Sequence, residues 1–331
     1  MITAPNFWTN RGLISTALLP LSLIWILAGK LRQILAKTEI ADLPIICVGN
    51  ILIGGSGKTP VTATLCRILK EQGYAPCILT RGYKGNSKGP LFADPARHTT
   101  DDIGDEAIML AFSNDVCVCA DRIKGAAFIA AQNKFDVIVM DDGMQNPWLH
   151  KDITLTVFDG GAGAGNRRLL PAGPLREPLN TGLAKADATI LNGQDETGLS
   201  ALLPKTLPQF RGKLYPDQKV AKAMGKKRFI AFAGIGRPKR FFETVTKTGA
   251  DVVRTLSFAD HHNYSEADLS RLQQEAWTNG ADLITTHKDW VRLPPDWRAR
   301  ILVLPVTFRF SRNDKSALLE LITAILPERQ S

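Results

Sequence analysis

The chain has 331 residues, enough for two domains with separate cores, and its 44% hydrophobic and 22% charged residues exclude a disordered or fibrous polypeptide. Lys and Arg number 41 against 32 Asp and Glu, a formal net charge of +9, which favours an anionic partner such as a nucleotide or a phospholipid surface. The basic residues are scattered and no aromatic–basic strip offers a base-stacking platform, so nucleic acid is not an expected partner. The cysteines (Cys47, Cys66, Cys77, Cys117 and Cys119) are odd in number and several lie in apolar runs. That suits free, buried thiols in a reducing compartment, and the isolated C-x-C has neither a second cluster nor a nearby His to make a zinc site.

In chain order, the first feature is the apolar run Leu13–Ala28. As a helix it reaches about 24 Å, short of the ~30 Å hydrocarbon core of a bilayer, and Pro20 interrupts it. Arg11, Ser15, Ser22 and Gly29 fall on one narrow stripe, with Leu13, Ala17, Leu21, Ile24 and Ala28 on a face turned away from it. Trp8 and Trp25 suit headgroup depth, and Lys30, Arg32 and Lys37 follow. The expectation is a helix on or partly in a membrane surface; a buried core helix and a single span are the alternatives.

Next, Pro44–Val48 is a short apolar run ending in Gly49–Asn50, the pattern of a buried parallel strand. Gly54–Gly55–Ser56–Gly57–Lys58–Thr59–Pro60 follows. The glycines let backbone N–H groups turn inward on a phosphate, Lys58 reaches the β/γ oxygens, and Thr59 ligates Mg²⁺. Pro60 suits the first turn of a helix, and Val61, Leu65, Ile68 and Leu69 repeat at helical spacing up to Gly73. The usual phosphate loop has a glycine where this chain has Leu52, so the loop must be entered differently. Phe135–Met140 is a second apolar strand ending in Asp141–Asp142–Gly143. A carboxylate at a strand end beside a phosphate loop is placed to hold Mg²⁺ or its water; the alternative is a solvated D-D-G turn.

Strands near 45–49, 76–80, 115–119, 136–140 and 154–158, with helices at 59–72, 104–112 and 121–132, make a βαβ series. The run at 187–191 adds a strand. We expect an α/β chain, P-loop NTPase-like, with a doubly wound and mostly parallel sheet. The expected layout is a membrane-associated helix in 1–40, a kinase-like core in 41–194, a connector rich in proline and glycine in 195–225, and a smaller α/β domain in 226–331, with the cleft between domains. In the last, Arg228–Phe232, Asp282–Thr285 and Ile301–Leu304 read as strands, Ser265–Asp268 as a capped helix start, and the G-x-G of Gly234 and Gly236 as a strand–helix turn.

The motifs occur in an order that resembles one family. Val48–Gly49–Asn50 and the phosphate loop are followed by Thr80–Arg81–Gly82–Tyr83–Lys84–Gly85, Gly104–Asp105–Glu106, Ala120–Asp121–Arg122 and Asp141–Asp142–Gly143–Met144–Gln145–Asn146. Then come Leu170–Pro171–Ala172–Gly173–Pro174–Leu175–Arg176–Glu177–Pro178, Phe232–Gly236 with Pro238 and Phe241–Phe242, Asp260–His261–His262, and Thr286–His287–Lys288–Asp289. Together they resemble the tetraacyldisaccharide 4′-kinases across nearly the whole chain. Met144 stands where the family usually has Phe, and Gly161–Arg168 replaces its G-F-G-N-G-R.

The resemblance implies transfer of the ATP γ-phosphate to the 4′-hydroxyl of an acylated disaccharide 1-phosphate lipid, a lipid A precursor, by a monomer on the cytoplasmic face of a bacterial inner membrane. It casts Asp105 as general base with His261 as its partner. Asn50, Arg81, Gln145, Arg176 and Glu177 are expected to bind substrate, with Arg176 clamping phosphate, Gln145 orienting the metal shell and Arg81 contacting the anionic acceptor. From the residues alone, Asp105 reads equally as a helix N-cap, His261 as a surface residue, Arg176–Glu177 as a structural ion pair, and Arg81 and Gln145 as solvated groups. The rival function is a P-loop switch, a GTPase or partitioning-type ATPase. Guanine readers usually carry N/T-K-x-D, whereas Lys288 here adjoins Asp289. A module that anchors lipid without catalysis is a further alternative.

Overall fold

The structure, a computed structural model, describes residues 5–327; residues 1–4 and 328–331, at the ends of the expected segments 1–40 and 226–331, lie outside it. The strands are β1 (Ile45–Gly49), β2 (Pro76–Thr80), β3 (Leu91–Phe92), β4 (Asp115–Val118), β5 (Val137–Asp141), β6 (Ile153–Asp159), β7 (Ala188–Asn192), β8 (Gln209–Pro216), β9 (Arg228–Ala233), β10 (Asp251–Ser257), β11 (Asp282–Thr285), β12 (Leu302–Val303) and β13 (Val306–Phe310). The described chain divides into one unit of residues 5–214 with 308–327, and a second of Tyr215–Thr307.

The large sheet runs β13-β8-β7-β6-β1-β5-β2-β4-β3. From β4 across to β8 the pairing is parallel, and the short β3 joins its neighbour β4 antiparallel. Every residue of β1, β5, β6 and β7 is buried, as expected of strands covered on both faces. The register is set partly by aspartates just ahead of three strands. Asp136, Asp152 and Asp187 each donate their own N–H to a carbonyl (of Ala75, Ile45 and Thr154) and accept that same residue's N–H on the carboxylate at 2.7–2.8 Å. This clasp starts β5 at Val137, so Phe135 lies outside the ladder and packs against Phe92 at 6.0 Å.

All five cysteines are free and buried, and burial pushes the Cys47 and Cys117 thiols up to about 12, so they act as small apolar side chains.

Two expectations need correction. The stretch read as a connector, 195–225, carries β8, which pairs with β7 from Thr189↔Gln209 to Asn192↔Gly212, and a helix Gln218–Met224 capped by Asp217. Its polar sequence hid a strand whose Gly212 faces the Phe308 ring, where a Cβ would sit 2.5 Å from that ring. The final residues, read as part of a C-terminal domain, return to the large unit: Thr64 Oγ1 donates to Phe308 O at 2.9 Å, and Lys315 on the helix Arg312–Thr323 pairs with Glu71 at 2.8 Å. The helix expected over 104–112 forms as Asp105–Ala111, and across Gly104 (φ +86°) a further short helix, Thr100–Ile103, precedes it. A Cβ at Gly104 would lie 2.3 Å from Tyr83 O.

The N-terminal run forms two helices, Leu13–Ala17 and Leu19–Ile34, and Pro20 opens the second rather than interrupting a single one. Among the described residues no helix is long and apolar enough to cross a membrane, which removes the single-span alternative for this segment. Leu21, Ile24, Leu27 and Leu31 are exposed whereas Ser15 and Ser22 are buried, so the helix is not a core helix either.

In the second unit, a parallel sheet runs β10-β9-β11-β12. Alternate residues of β9 feed two cores: Phe229, Ala231 and Ala233 meet Phe241 and Phe242, and Ile230 and Phe232 meet Tyr264 and Leu272. The helix Glu266–Thr278 starts with the expected capping box, Ser265 against Asp268.

If the aspartate clasps set the register, Asp187→Ala costs about 0.5–1.5 kcal/mol while Asp187→Asn, which still offers an oxygen, costs less. Urea unfolding of both variants checks this; equal losses would reject the clasp.

Candidate active site

The site is built where β1 and β5 end side by side. Their register aligns Val48 with Asp141, so the loop leaving β1 and the carboxylates leaving β5 share one sheet edge. The phosphate loop then turns into the helix Lys58–Glu71 through Gly57 in the left-handed region (φ +87°). A Cβ on Gly57 would sit 2.4 Å from Asn192 Nδ2, which donates to Ser56 O at 3.1 Å. Asn50 Nδ2 donates to Ser56 Oγ at 3.2 Å. Ser56 and Thr59 are buried.

The different entry to this loop has a clear cause. Ile53 N–H donates to Pro174 O and Arg176 N–H to Ile51 O, both at 2.8 Å, with Leu52 and Leu175 bridged antiparallel between them. The proline-rich segment is thus zipped to the loop entry, and a buried Leu52 packs where a glycine would leave a gap.

Asp141 and Asp142 have opposite surroundings. Asp141 is buried and accepts from Thr62 Oγ1 at 2.9 Å. Burial, with Glu106 and Asp142 nearby, pushes its carboxyl up to about 7 against the pull of Lys58. Asp142 adopts φ +54° and faces Lys58 Nζ at 3.7 Å. Arg176 grips it with two nitrogens, Nη1 to Oδ1 at 3.0 Å and Nη2 to Oδ2 at 3.3 Å. Burial alone would raise the Asp142 carboxyl, but Lys58 and Arg176 outweigh it and hold it below the usual range.

The network continues outward. Arg176 Nη1 also donates to Gln145 Oε1 at 3.0 Å; Gln145 Nε2 donates to Asn50 O at 2.8 Å and to Glu177 Oε1 at 3.3 Å. Glu177 is clasped by Lys185. Asn50, Gln145, Arg176 and Glu177, expected around the acceptor, are therefore one connected cluster, and Arg176 binds Asp142 rather than its neighbour Glu177. Arg81 stands exposed after β2 and is not hydrogen-bonded into this cluster.

The sequence does not mark Thr62, Lys185 or Asn192, and it marks Arg122 only within the Ala120–Asp121–Arg122 motif. Thr62 lies one turn after Lys58 and Asn192 ends β7, but neither position marks itself without the fold. Arg122 is 5% exposed, donates to Cys119 O at 2.5 Å, and keeps an Nε with no hydrogen-bond partner. Burial and then Arg81 push its guanidinium down to about 10, and Asp141 and Asp142 pull it the other way.

Asp105 is buried as the first residue of its helix, and its carboxylate accepts from Glu106 N–H at 2.9 Å. Gly104, not Asp105, is the N-cap. His261 belongs to the second unit, with φ +59° and its N–H donated to Gly234 O at 3.0 Å. Its Nε2 lies 3.2 Å from Lys288 Nζ, and its side chain is 8% exposed, which is not the surface residue the sequence allowed. Asp289 is fully buried and accepts from Gly234 N–H (2.8 Å), Tyr264 OH (2.7 Å), Thr286 Oγ1 (2.6 Å) and Arg292 (2.9 Å). A carboxylate so engaged staples the turn after β9 and is not free to read a guanine, in keeping with the absence of N/T-K-x-D spacing around it.

Thr59, Asp141 and Asp142 offer oxygen donors of the kind Mg²⁺ takes, at a site where Asn50 Oδ1 is also buried without a partner. Among the described residues no three His, Cys, Asp or Glu gather as a metal cage. Mg²⁺ takes few protein ligands and keeps water and phosphate oxygens.

The raised Asp141 carboxyl has a consequence for stability. A carboxyl shifted up from 3.8 to about 7 destabilises the fold progressively as pH rises between those values, because the unfolded chain then binds fewer protons. Asp141→Asn should therefore raise the Mg²⁺-free melting temperature by several degrees at pH 8 and by little at pH 5. Equal shifts at both pH values, by differential scanning fluorimetry, would contradict this.

Residues 14–326 match the family model for tetraacyldisaccharide-1-P 4′-kinase. The chain is 44% identical over 316 residues to the tetraacyldisaccharide 4′-kinase of Rhodospirillum centenum, covering 94% of each. It is 41% identical over 330 residues to that of Methylobacterium nodulans, covering 98% of this chain and 96% of the relative. Among solved structures it superposes with TM-score 0.75 and 28% identity on the Aquifex aeolicus LpxK crystal structure in complex with ATP, covering 95% of this chain and 100% of the other. With this match along almost its whole length, the chain belongs to the tetraacyldisaccharide-1-P 4′-kinase family.

Proposed function

We propose that this chain transfers the γ-phosphate of ATP to the 4′-hydroxyl of a tetraacyl disaccharide 1-phosphate in lipid A biosynthesis, working at the cytoplasmic face of the inner membrane. The observation that supports it best is the alignment of the phosphate loop with Asp141 and Asp142 at one sheet edge, enclosed by Arg176, Gln145 and Glu177.

Catalysis is then mostly positioning and charge neutralisation. The N–H groups of residues 54–59 and Lys58 hold the phosphates. Thr59, Asp141 and Asp142 hold Mg²⁺, which when bound neutralises phosphate charge. Arg176, already paired with Asp142, carries a second positive charge to the same place. Asn50, Arg81, Gln145 and Glu177 line the way to the acceptor. Asp105 orients the sugar hydroxyl and takes its proton late, and His261 acts with it as the family resemblance implies.

The membrane role rests on the exposed apolar side chains Leu21, Ile24, Leu27 and Leu31, 51–66% accessible, followed by Lys30, Arg32 and Lys37. Such a face suits an acyl-chain boundary with basic groups among anionic headgroups.

Thin-layer assay of labelled phosphate moving from ATP to the lipid disaccharide, against phosphate released without acceptor, tests the activity; Lys58→Ala should abolish it. Asp105→Ala should lower kcat by about 10² or more with little change in ATP KM, and near-normal turnover would remove Asp105 as the base. Ile24→Glu combined with Leu27→Glu should reduce sedimentation with anionic vesicles, and unchanged sedimentation would reject the membrane face.

A further inference from the structure

The N-terminal helix turns its polar stripe to the proline-rich loop that ends in Arg176. Ser15 Oγ donates to Ala172 O at 2.6 Å, Ser22 Oγ to Leu169 O at 3.0 Å, and Trp25 Nε1 to the carbonyl of Arg176 itself at 2.8 Å. The loop answers: Asn166 Nδ2 donates to Phe7 O and to Ser15 Oγ, both at 2.9 Å, while Trp8 Nε1 donates to Pro171 O at 3.0 Å. Past the far end of the helix, Thr38 Oγ1 donates to Pro147 O and Glu39 N–H to Trp148 O, both at 2.8 Å; Arg32 stacks 4.5 Å over the Trp148 ring. Trp148 lies three residues after Gln145.

These bonds bear on the site because of what the loop lacks. Residues 169–176 belong to no helix or strand. Pro171 and Pro174 cannot donate, and the bonds from the Leu170, Gly173 and Leu175 N–H groups go to Leu175 O, Leu169 O and Arg168 O, so they fold the loop on itself without anchoring it to its surroundings. One side of the loop is fixed by the phosphate-loop entry, through Ile51 and Ile53. The other side is fixed by the helix. Arg176 hangs between the two, and Gln145, the other group bonded to its guanidinium, sits in a segment tied to the same helix.

We infer that Trp25 and Ser22 are positioning residues for Arg176, so that the helix presenting its apolar face to lipid also aligns the guanidinium on Asp142. This rests on the role given to Arg176 above. An apolar face alone would hold the enzyme at a surface; hydrogen bonds from its opposite face to the catalytic loop make the seated helix part of the site's framework.

The test uses full-length protein with ATP and a tetraacyl disaccharide 1-phosphate in mixed micelles. Trp25→Phe keeps the ring and removes the donor; Ser22→Ala removes the other. Each should lower kcat about three- to tenfold, the range for one lost hydrogen bond, with ATP KM within about twofold and vesicle sedimentation unchanged. Exchange of the Gly173 and Leu175 amides, bonded to Leu169 O and Arg168 O, should quicken. In an Arg176→Ala background Trp25→Phe should have no further effect on kcat, a non-additivity that general destabilisation would not produce. Unchanged kcat in both single variants, full additivity with Arg176→Ala, or a loss that follows vesicle binding would overturn the inference. Should Arg176→Ala itself keep full turnover, the role of Arg176 fails and this inference with it; should Arg176→Ala be impaired while Trp25→Phe is normal, the inference alone fails.

Discussion

Two adjacent carboxylates at the end of a buried parallel strand cannot both be left uncompensated in a low-dielectric site. The protein treats them differently. Asp141 sits deep against Thr62 with its carboxyl pushed up by burial, while Asp142 is turned by a left-handed backbone toward Lys58 and Arg176, which hold it ionised. The arrangement around them follows from meeting that charge. Lys58 must begin the helix after the phosphate loop, and Arg176 must be brought across from a segment far along the chain. That requirement explains why the loop entry is zipped to Pro174 and Arg176 and why Leu52 replaces the usual glycine.

The same loop gives the N-terminal helix its orientation. A helix on a soluble protein normally buries its apolar stripe. Here Ser15 and Ser22 are buried and Leu21, Ile24, Leu27 and Leu31 face outward. The inversion has an energetic logic. The buried Ser15 and Ser22 hydroxyls need acceptors and, with Trp25, find them in the carbonyls of Ala172, Leu169 and Arg176, while the apolar residues stay outward. Contacts to the Arg176 loop and an exposed apolar face thus meet on one segment.

Much of this was legible in the residues. Apolar runs bounded by glycines located β1, β5, β6 and β7 to within two residues, because strands buried on both faces leave an uninterrupted hydrophobic signature. The phosphate loop and the Asp–Asp strand end announced themselves because phosphate and metal binding demand particular residue types at fixed spacing. The strand β8 escaped notice because Gln209, Arg211, Gly212 and Lys213 carry no such signature. Thr62, Lys185 and Asn192 escaped because nothing in their spacing ties them to the site, and Arg122, though part of a motif, carried no sign of its burial.

The sequence by itself determined the phosphate chemistry, the family and the amphipathic split of the N-terminal helix, since each is written in local composition and spacing. Only the tertiary structure decided which partner each charged group takes. Arg176 binds Asp142 and not its neighbour Glu177, Glu177 takes Lys185, and Asp289 holds a turn instead of a ligand. Those choices depend on which strand ends lie side by side and on how far burial raises the cost of an unpaired charge, and neither quantity exists before the chain is folded.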